Sequence, residues 1–243
     1  MKTTKRLFAM VLALTLLLSL QLPALAAHPF SDVAHDSWYR TAVEFVYERK
    51  LMSGTSSTAF GPDSNMTRAM LVTVLYSMEG KPAVSGELPF TDVAPNSWYR
   101  APVAWAYANG IVSGTSAATF SPDNNITREQ MVAIFSKYAN SKGMETPAAA
   151  DIDSYIDANT VSAYAVKALS WAVGNGIISG TSATTLSPAG SATRAQCAVI
   201  LYRFVEWTEQ AGDIPQVTPT PTPTPAPTPT PSHRPGNNQT PFG

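Results

Sequence analysis

The chain has little with which to do covalent chemistry. In 243 residues it carries one cysteine and three histidines. The sole cysteine, Cys197, excludes an intramolecular disulfide, so the fold must be held by packing. His28, His35 and His233 lie near the start, in a loop and near the end, and none recurs in a repeated segment. A nucleophile and its base must meet in one framework, and these residues suggest no such framework. The formal charge is −1, with 16 basic against 17 acidic residues. That leaves no electrostatic footprint for nucleic acid. Long apolar runs are also scarce, with one at the very start. Leu7 to Leu22 is broken only by Thr15, Ser19 and Gln21, follows Lys2, Lys5 and Arg6, and precedes the small-x-small sequence Ala24-Leu25-Ala26. This is the layout of a secretory signal peptide over residues 1–26. The stretch is short for a bilayer-spanning anchor, the other reading. The mature chain then begins near Ala27, without a further span, and its formal charge moves from −1 to −4 because three cations and no acid are removed.

What the chain does have is repetition. "FSDVAHDSWYR" starts at Phe30 and "FTDVAPNSWYR" at Phe90, 60 residues on. "SGTSSTAFGPDSNMTRA" starts at Ser53, "SGTSAATFSPDNNITRE" at Ser113 and "SGTSATTLSPAGSATRA" at Ser179, offsets of 60 and 66. Such a period fixes architecture before any single motif does. One unit is too small to cover its own apolar face, so the copies are expected to stack.

Each unit reads as helix, loop, helix. In the second copy Val103, Ala106 and Tyr107 recur at helical spacing, Pro102 falls in the first turn where no amide donor is needed, and Asn109-Gly110 ends the helix with a left-handed glycine. Asn175-Gly176 does the same in the third copy. The first copy has Lys50 in that slot, so its helix is expected to end another way. A loop of roughly 15 residues follows, a length that is usually functional or disordered; its recurrence argues against disorder, and Phe60, Phe120 and Leu186 are apolar plugs that fold it back. The second helix starts at Thr-Arg. Thr127 with Gln130 and Thr193 with Gln196 fit the capping box, which Thr67 with Met70 lacks. Leu71, Val74, Leu75, Met78 and their counterparts form core stripes at i, i+3, i+4, i+7; Cys197 lies on such a stripe and reads as a buried, inert thiol. After Ala211 the run "TPTPTPTPAPTPTP" favours extended polyproline, about 40 Å at about 3.1 Å per residue, and the polar end is expected to be disordered.

The chemical candidates are few. Asp32, Asp92 and Asp157 occur singly, one per copy, and a threefold arrangement seldom supplies the unlike pair that an acid and a base require. "PDSN" and "PDNN" lack the spacing and closing Glu of a calcium loop and read as turns held by Asp and Asn side chains. No metal, no cofactor and no enzyme activity is expected. Arg68, Arg128 and Arg194 stand out. Each is the first residue of a helix, where the peptide dipole disfavours a cation by about 0.3–1 kcal/mol. Two readings are open: a structural arginine paired with a nearby acid such as the repeated aspartate, or an anion site in which free helix-start amides and a guanidinium point at one carboxylate or phosphate. Trp38 and Trp98, with Tyr164 in the third copy, could stack on sugar rings or fill the core. Gly54, Gly114 and Gly180 would let a ligand approach bare backbone.

Aromatic-x-Asp (Phe30-Ser31-Asp32, Phe90-Thr91-Asp92, Tyr155-Ile156-Asp157), the Trp that follows, the loop Gly, Phe-x-Pro and the Thr-Arg segment, three times over after a leader, resemble the S-layer homology (SLH) domain across about residues 28–210. The resemblance implies an all-α fold: three helix-loop-helix repeats (28–82, 88–145 and 150–210) packed as a pseudo-threefold trimer, with the proline-rich tail from 211 to 243. It implies non-covalent anchoring to the cell wall through inter-repeat grooves that bind secondary cell wall polysaccharide, often ending in pyruvylated N-acetylmannosamine, whose ketal carboxylate suits the anion site. Carried over by position, the ligand residues are Asp32, Trp38, Gly54 and Arg68, then Asp92, Trp98, Gly114 and Arg128, then Asp157, Gly180 and Arg194. The location implied is the cell wall or S-layer of the peptidoglycan-bearing envelope. The third copy departs most, with Tyr164 for Trp, one extra residue before it, and Leu186 for Phe, so grooves built on copies one and two are expected to matter more. A helical scaffold for a protein partner on the envelope is the rival function, and an accessory wall hydrolase a third.

Overall fold

A computed structural model of the chain describes residues 28–213; the leader over 1–26 and the proline-rich run lie outside the described residues. Among the described residues six α-helices follow one another: α1 (Arg40–Glu48), α2 (Arg68–Met78), α3 (Arg100–Ala108), α4 (Arg128–Ser141), α5 (Val166–Gly174) and α6 (Arg194–Asp213). Among the described residues there is no β-strand, only three isolated bridges. α6 runs to Asp213, three residues into the segment that composition assigns to the tail.

The second helices of the repeats begin as their local chemistry dictates, with threonine N-caps. Thr67 and Thr127 are extended N-caps whose hydroxyls accept from Met70 N and Gln130 N, each at 3.2 Å. Gln130 and Gln196 return the bond to Thr127 N and Thr193 N, so both capping boxes form. The first helix of each copy ends in one Schellman arrangement: Gly110 N donates to Tyr107 O and Ile111 N to Ala106 O, and Gly176 and Ile177 repeat this. The first copy ends the same way, contrary to the sequence expectation. Lys50 takes φ 56°, beside 68° for Gly110 and Gly176, and Leu51 N donates to Val46 O. The tertiary position of the following Leu51-Met52 overrides the steric preference of a side chain. Left-handed backbone costs a non-glycine residue about 1–2 kcal/mol, partly offset by the entropy that glycine loses on folding. Lys50→Gly is therefore expected to stabilise the protein by about 0.5–1 kcal/mol in urea unfolding.

The copies do not form an open stack; they close on themselves. The second helix of each packs on the first helix of the next, α2 on α3 and α4 on α5, and α6 of the third copy returns to α1. Around the axis, Met66 N donates to Ala192 O (3.0 Å), Ala192 N to Ile126 O (3.0 Å) and Ile126 N to Met66 O (2.8 Å), a closed cycle of three bonds. One hydrophobic core runs through all three copies and takes in the loop plugs Phe60, Phe120 and Leu186. Phe135 of α4 stacks on Phe204 of α6 with centroids 4.4 Å apart. Cys197 lies in this core, and burial pushes its thiol up to about 12, which makes it inert at neutral pH.

Candidate functional site

The aspartates act first, as loop fasteners. Asp32 accepts from Phe60 N and Gly61 N, both at 2.8 Å. Asp92 does the same with Phe120 and Ser121 (2.8 and 2.7 Å), and Asp157 with Leu186 and Ser187 (2.9 and 2.7 Å). Each carboxylate thus ties the loop of its own copy through the plug residue. For Asp32, desolvation raises the pKa, but the Phe60 and Gly61 N–H donors, with smaller help from its own backbone N–H and the nearby His28, bring it below the usual value. For Asp157 the bond from Leu186 N–H leads, and the pKa is again depressed. A carboxylate whose folded pKa is depressed adds stability that is present above its unfolded pKa and lost as pH falls through the folded one. Thermal midpoints should therefore hold from neutral pH down to about 5 and drop below about 4, the unfolded Asp value. The drop should be shallower in Asp32→Asn; an unchanged slope in that variant would show the fasteners carry none of it.

The arginines take the other side of the same plug, from the neighbouring copy. Arg68 Nε donates to Phe120 O at 3.0 Å, Arg128 Nε to Leu186 O at 2.9 Å and Arg194 Nε to Phe60 O at 2.9 Å. Their Nη2 groups donate to Ser113 O, Ser179 O and Ser53 O. One plug residue is therefore held at its N–H by its own copy's aspartate and at its C=O by the preceding copy's guanidinium. Arg68 and Arg194 also lie over the rings of Phe120 and Phe60, at 4.8 and 4.6 Å; Leu186 offers Arg128 no ring. With 6%, 5% and 7% exposure, the three arginines are structural as well as candidate ligands.

This revises both readings of the arginines. They do not pair with the repeated aspartates. Nor are the helix-start amides free: Arg68 N and Ala69 N donate to Asn124 O and Pro122 O, Arg128 N and Glu129 N to Gly190 O and Pro188 O, and Arg194 N and Ala195 N to Ser64 O and Pro62 O. The dipole end is capped by the next copy's backbone, which was invisible within one repeat. What remains for an anion is the outer edge of each guanidinium.

That edge opens into grooves. One, of 540 Å³, lies between α4 and α5; Ser113 and Gly114 form its wall, Arg68 and Gln130 its floor, and Tyr164 its rim. Another, of 270 Å³, lies beside α6, with Gly180, Arg128, Gln196 and Trp38 in the same roles. Each groove draws its loop from one copy, its arginine from the previous and its aromatic from the next. The positional sets thus regroup as Tyr164, Gly114, Arg68 and as Trp38, Gly180, Arg128. By the same rotation Trp98 and Gly54 join Arg194, whose Nη2 reaches Ser53 O. Copy three cannot be ranked last, because both grooves contain parts of it.

Trp38, Trp98 and Tyr164 are 67%, 60% and 61% exposed, so they do not fill the core. The glycines have a structural reason: a Cβ on Gly114 would sit 2.2 Å from Ser116 O, 2.4 Å from Thr119 O and 2.6 Å from the Phe90 ring. Gly54 and Gly180 are equally crowded.

Sequence reasoning missed Glu129. It stands where the other copies have Ala69 and Ala195, and it is buried. Its carboxylate accepts from Ser162 N (2.9 Å), Ser162 Oγ (2.8 Å) and Tyr164 Oη (3.3 Å). It pins the segment in which a 3₁₀ turn, Ala158–Thr160, takes up the third copy's extra residue. Lys137, Lys167 and Arg203 also line the grooves; a comparison of the three copies position by position would have exposed them. Among the described residues no cluster of three His, Cys, Asp or Glu side chains could hold a metal ion, and no helix is long and apolar enough to cross a membrane.

The S-layer homology domain family matches residues 29–69, 89–132 and 154–198. An endoglucanase of Bacillus sp. (strain KSM-635) is 31% identical over 209 residues, 82% of this chain and 22% of that protein. A surface-layer 125 kDa protein of Lysinibacillus sphaericus is 29% identical over 206 residues, 83% of this chain and 17% of its own length. A cell surface protein of Thermoanaerobacter kivui is 30% identical over 153 residues, 60% of this chain and 20% of its own. The chain spans about a fifth of the length of these relatives.

Proposed function

Because the chain belongs to the S-layer homology domain family, three copies of which cover residues 29–69, 89–132 and 154–198, we propose that it holds itself to the bacterial wall by gripping an acidic secondary cell wall polysaccharide in its inter-repeat grooves. Its place is the cell surface, and its work there is anchoring. The matched region accompanies an endoglucanase in one relative and a surface-layer protein in another. The matched region makes up only 22% and 17% of those proteins, and in this chain we read the three repeats as a non-catalytic anchoring module.

The observation that carries the finer reading is the recurrence of one constellation: a guanidinium at the floor of the groove, bare loop backbone at the wall and a solvent-exposed aromatic at the rim. An exposed aromatic face suits the apolar face of a sugar ring, and a guanidinium suits a carboxylate. A pyruvyl ketal on N-acetylmannosamine supplies that carboxylate next to the ring. The buried arginines are already charged and fixed by carbonyl acceptors, so the site needs little reordering when the anion arrives.

The test is co-sedimentation of the mature chain with wall sacculi. It should pellet with sacculi that carry the pyruvylated polymer and stay in solution with sacculi from which the polymer or its pyruvyl groups have been removed. Equal pelleting with both rejects the proposal, and loss of binding after protease treatment of the sacculi would favour a protein partner instead. Trp38→Ala and Trp98→Ala remove exposed rings, so both variants should keep the wild-type melting temperature. Each should weaken polymer binding by about 1 kcal/mol, in the range of an aromatic contact.

A further inference from the structure

The repeated loops share one hydrogen-bonding pattern, and the residues at equivalent groove positions differ in charge. Nine residues after each helix-start arginine, on the face that lines the groove, copy two has Lys137 and copy three Arg203, while copy one has Ser77. Three residues after the rim aromatic, α5 places Lys167 in the α4–α5 groove; the matching positions are Thr41 and Ala101. The α4–α5 groove thus gathers Arg68, Lys137 and Lys167, with no acidic residue in its lining. The groove beside α6 gathers Arg128 and Arg203, and the α2–α3 groove keeps Arg194 alone of these positions.

Lys137 and Lys167 are exposed and make no ion pair among the described residues. Holding like charges around one cavity is unfavourable until an anion enters. The rim of this groove is also the one that is tied down. Glu129, buried and satisfied by Ser162, fixes Tyr164 through its hydroxyl, and no residue at 69 or 195 can do the same because both are alanine. Its volume, 540 Å³, is twice the 270 Å³ of the groove beside α6.

We infer that the α4–α5 groove is the principal site, filled before the other two, and that it takes a glycan with two anionic groups: one at Arg68 and a second between Lys137 and Lys167. This rests on the polysaccharide reading above and specifies which groove and which charge pattern serve it. Glu129 is a positioning residue that acts through Tyr164.

The test uses the mature chain and two probes in calorimetric titration: a pyruvylated N-acetylmannosamine glycoside with one carboxylate, and a disaccharide that links it to a glucuronic acid. Wild-type protein should bind the doubly charged probe at least tenfold more tightly. Lys137→Ser combined with Lys167→Ala should erase that preference and leave the singly charged probe within about twofold. Arg203→Ser should leave the tightest site unchanged. All these positions are exposed, and unchanged melting temperatures confirm folding. If wild type binds both probes equally, or if Arg203→Ser and not the lysine pair abolishes the preference, the assignment is overturned while glycan binding stands. If neither probe binds any variant, the polysaccharide reading falls with it.

Discussion

Arg128→Ala is expected to lower the free energy of unfolding by about 3 kcal/mol, measured by urea denaturation. The change strips donors from Leu186 O and Ser179 O, and a buried acceptor left without its partner costs about 1–3 kcal/mol. Arg128→Lys should recover part of the loss, because an ammonium can reach one carbonyl but cannot bridge two with the planar fork of a guanidinium. The loss also belongs to the contact between copies: the plug of copy three is released from copy two, while Asp157 still holds it from within. A loss below about 1 kcal/mol would mean that the clasp adds little to stability and that burial of this arginine serves only its ligand. For the same reason, weak glycan binding by an arginine variant is informative only beside its melting curve, whereas the exposed tryptophans report on binding alone.

Gly114→Ala should cost about as much, near 3 kcal/mol, at the upper end of what overpacking does. Two of the three atoms that the new methyl would meet are backbone oxygens of a tight turn, at 2.2 and 2.4 Å. That turn is cross-tied by Thr115 N and Ser116 N to Thr119 O, so it cannot yield cheaply. The third contact is the Phe90 ring, which can move. Phe90→Leu in the same chain should therefore rescue only a minor part of the loss. Near-UV circular dichroism should report the displaced ring, and urea unfolding the stability. Full rescue by Phe90→Leu would show that the glycine is required only by the ring and not by the fold of the loop.

The helices were legible in the sequence because their signals are local. Thr127 with Gln130 spells a helix start within four residues, Asn109-Gly110 spells an end, and Leu71, Val74 and Leu75 mark an inward face. Lys50 was misread for a related reason: a propensity rule sees one residue, while the left-handed turn there is imposed by the packing of Leu51 and Met52 after it. The closure of the ring was legible only through the family resemblance, which implied a pseudo-threefold trimer; no local signal spells it, because the partners of Met66 are Ala192 and Ile126, 126 and 60 positions away. The same distance hid the true company of each site residue. Position within a copy groups Trp38 with Arg68, but the fold places Trp38 with Arg128, since the chain hands one part of every groove to each neighbour. The arginines were rightly singled out by their awkward electrostatics. Their carbonyl acceptors could not be read from the sequence, because backbone oxygens carry no letter.

The cycle of bonds between Met66, Ala192 and Ile126 has one further consequence. A linear array can be lengthened by gene duplication, one module at a time, each new module adding grip. Here the last helix already occupies the face that an additional module would need. On the polysaccharide reading, one such body then offers three grooves and no more, and a stronger hold on the envelope comes from several bodies acting on the same polymer, not from a longer one.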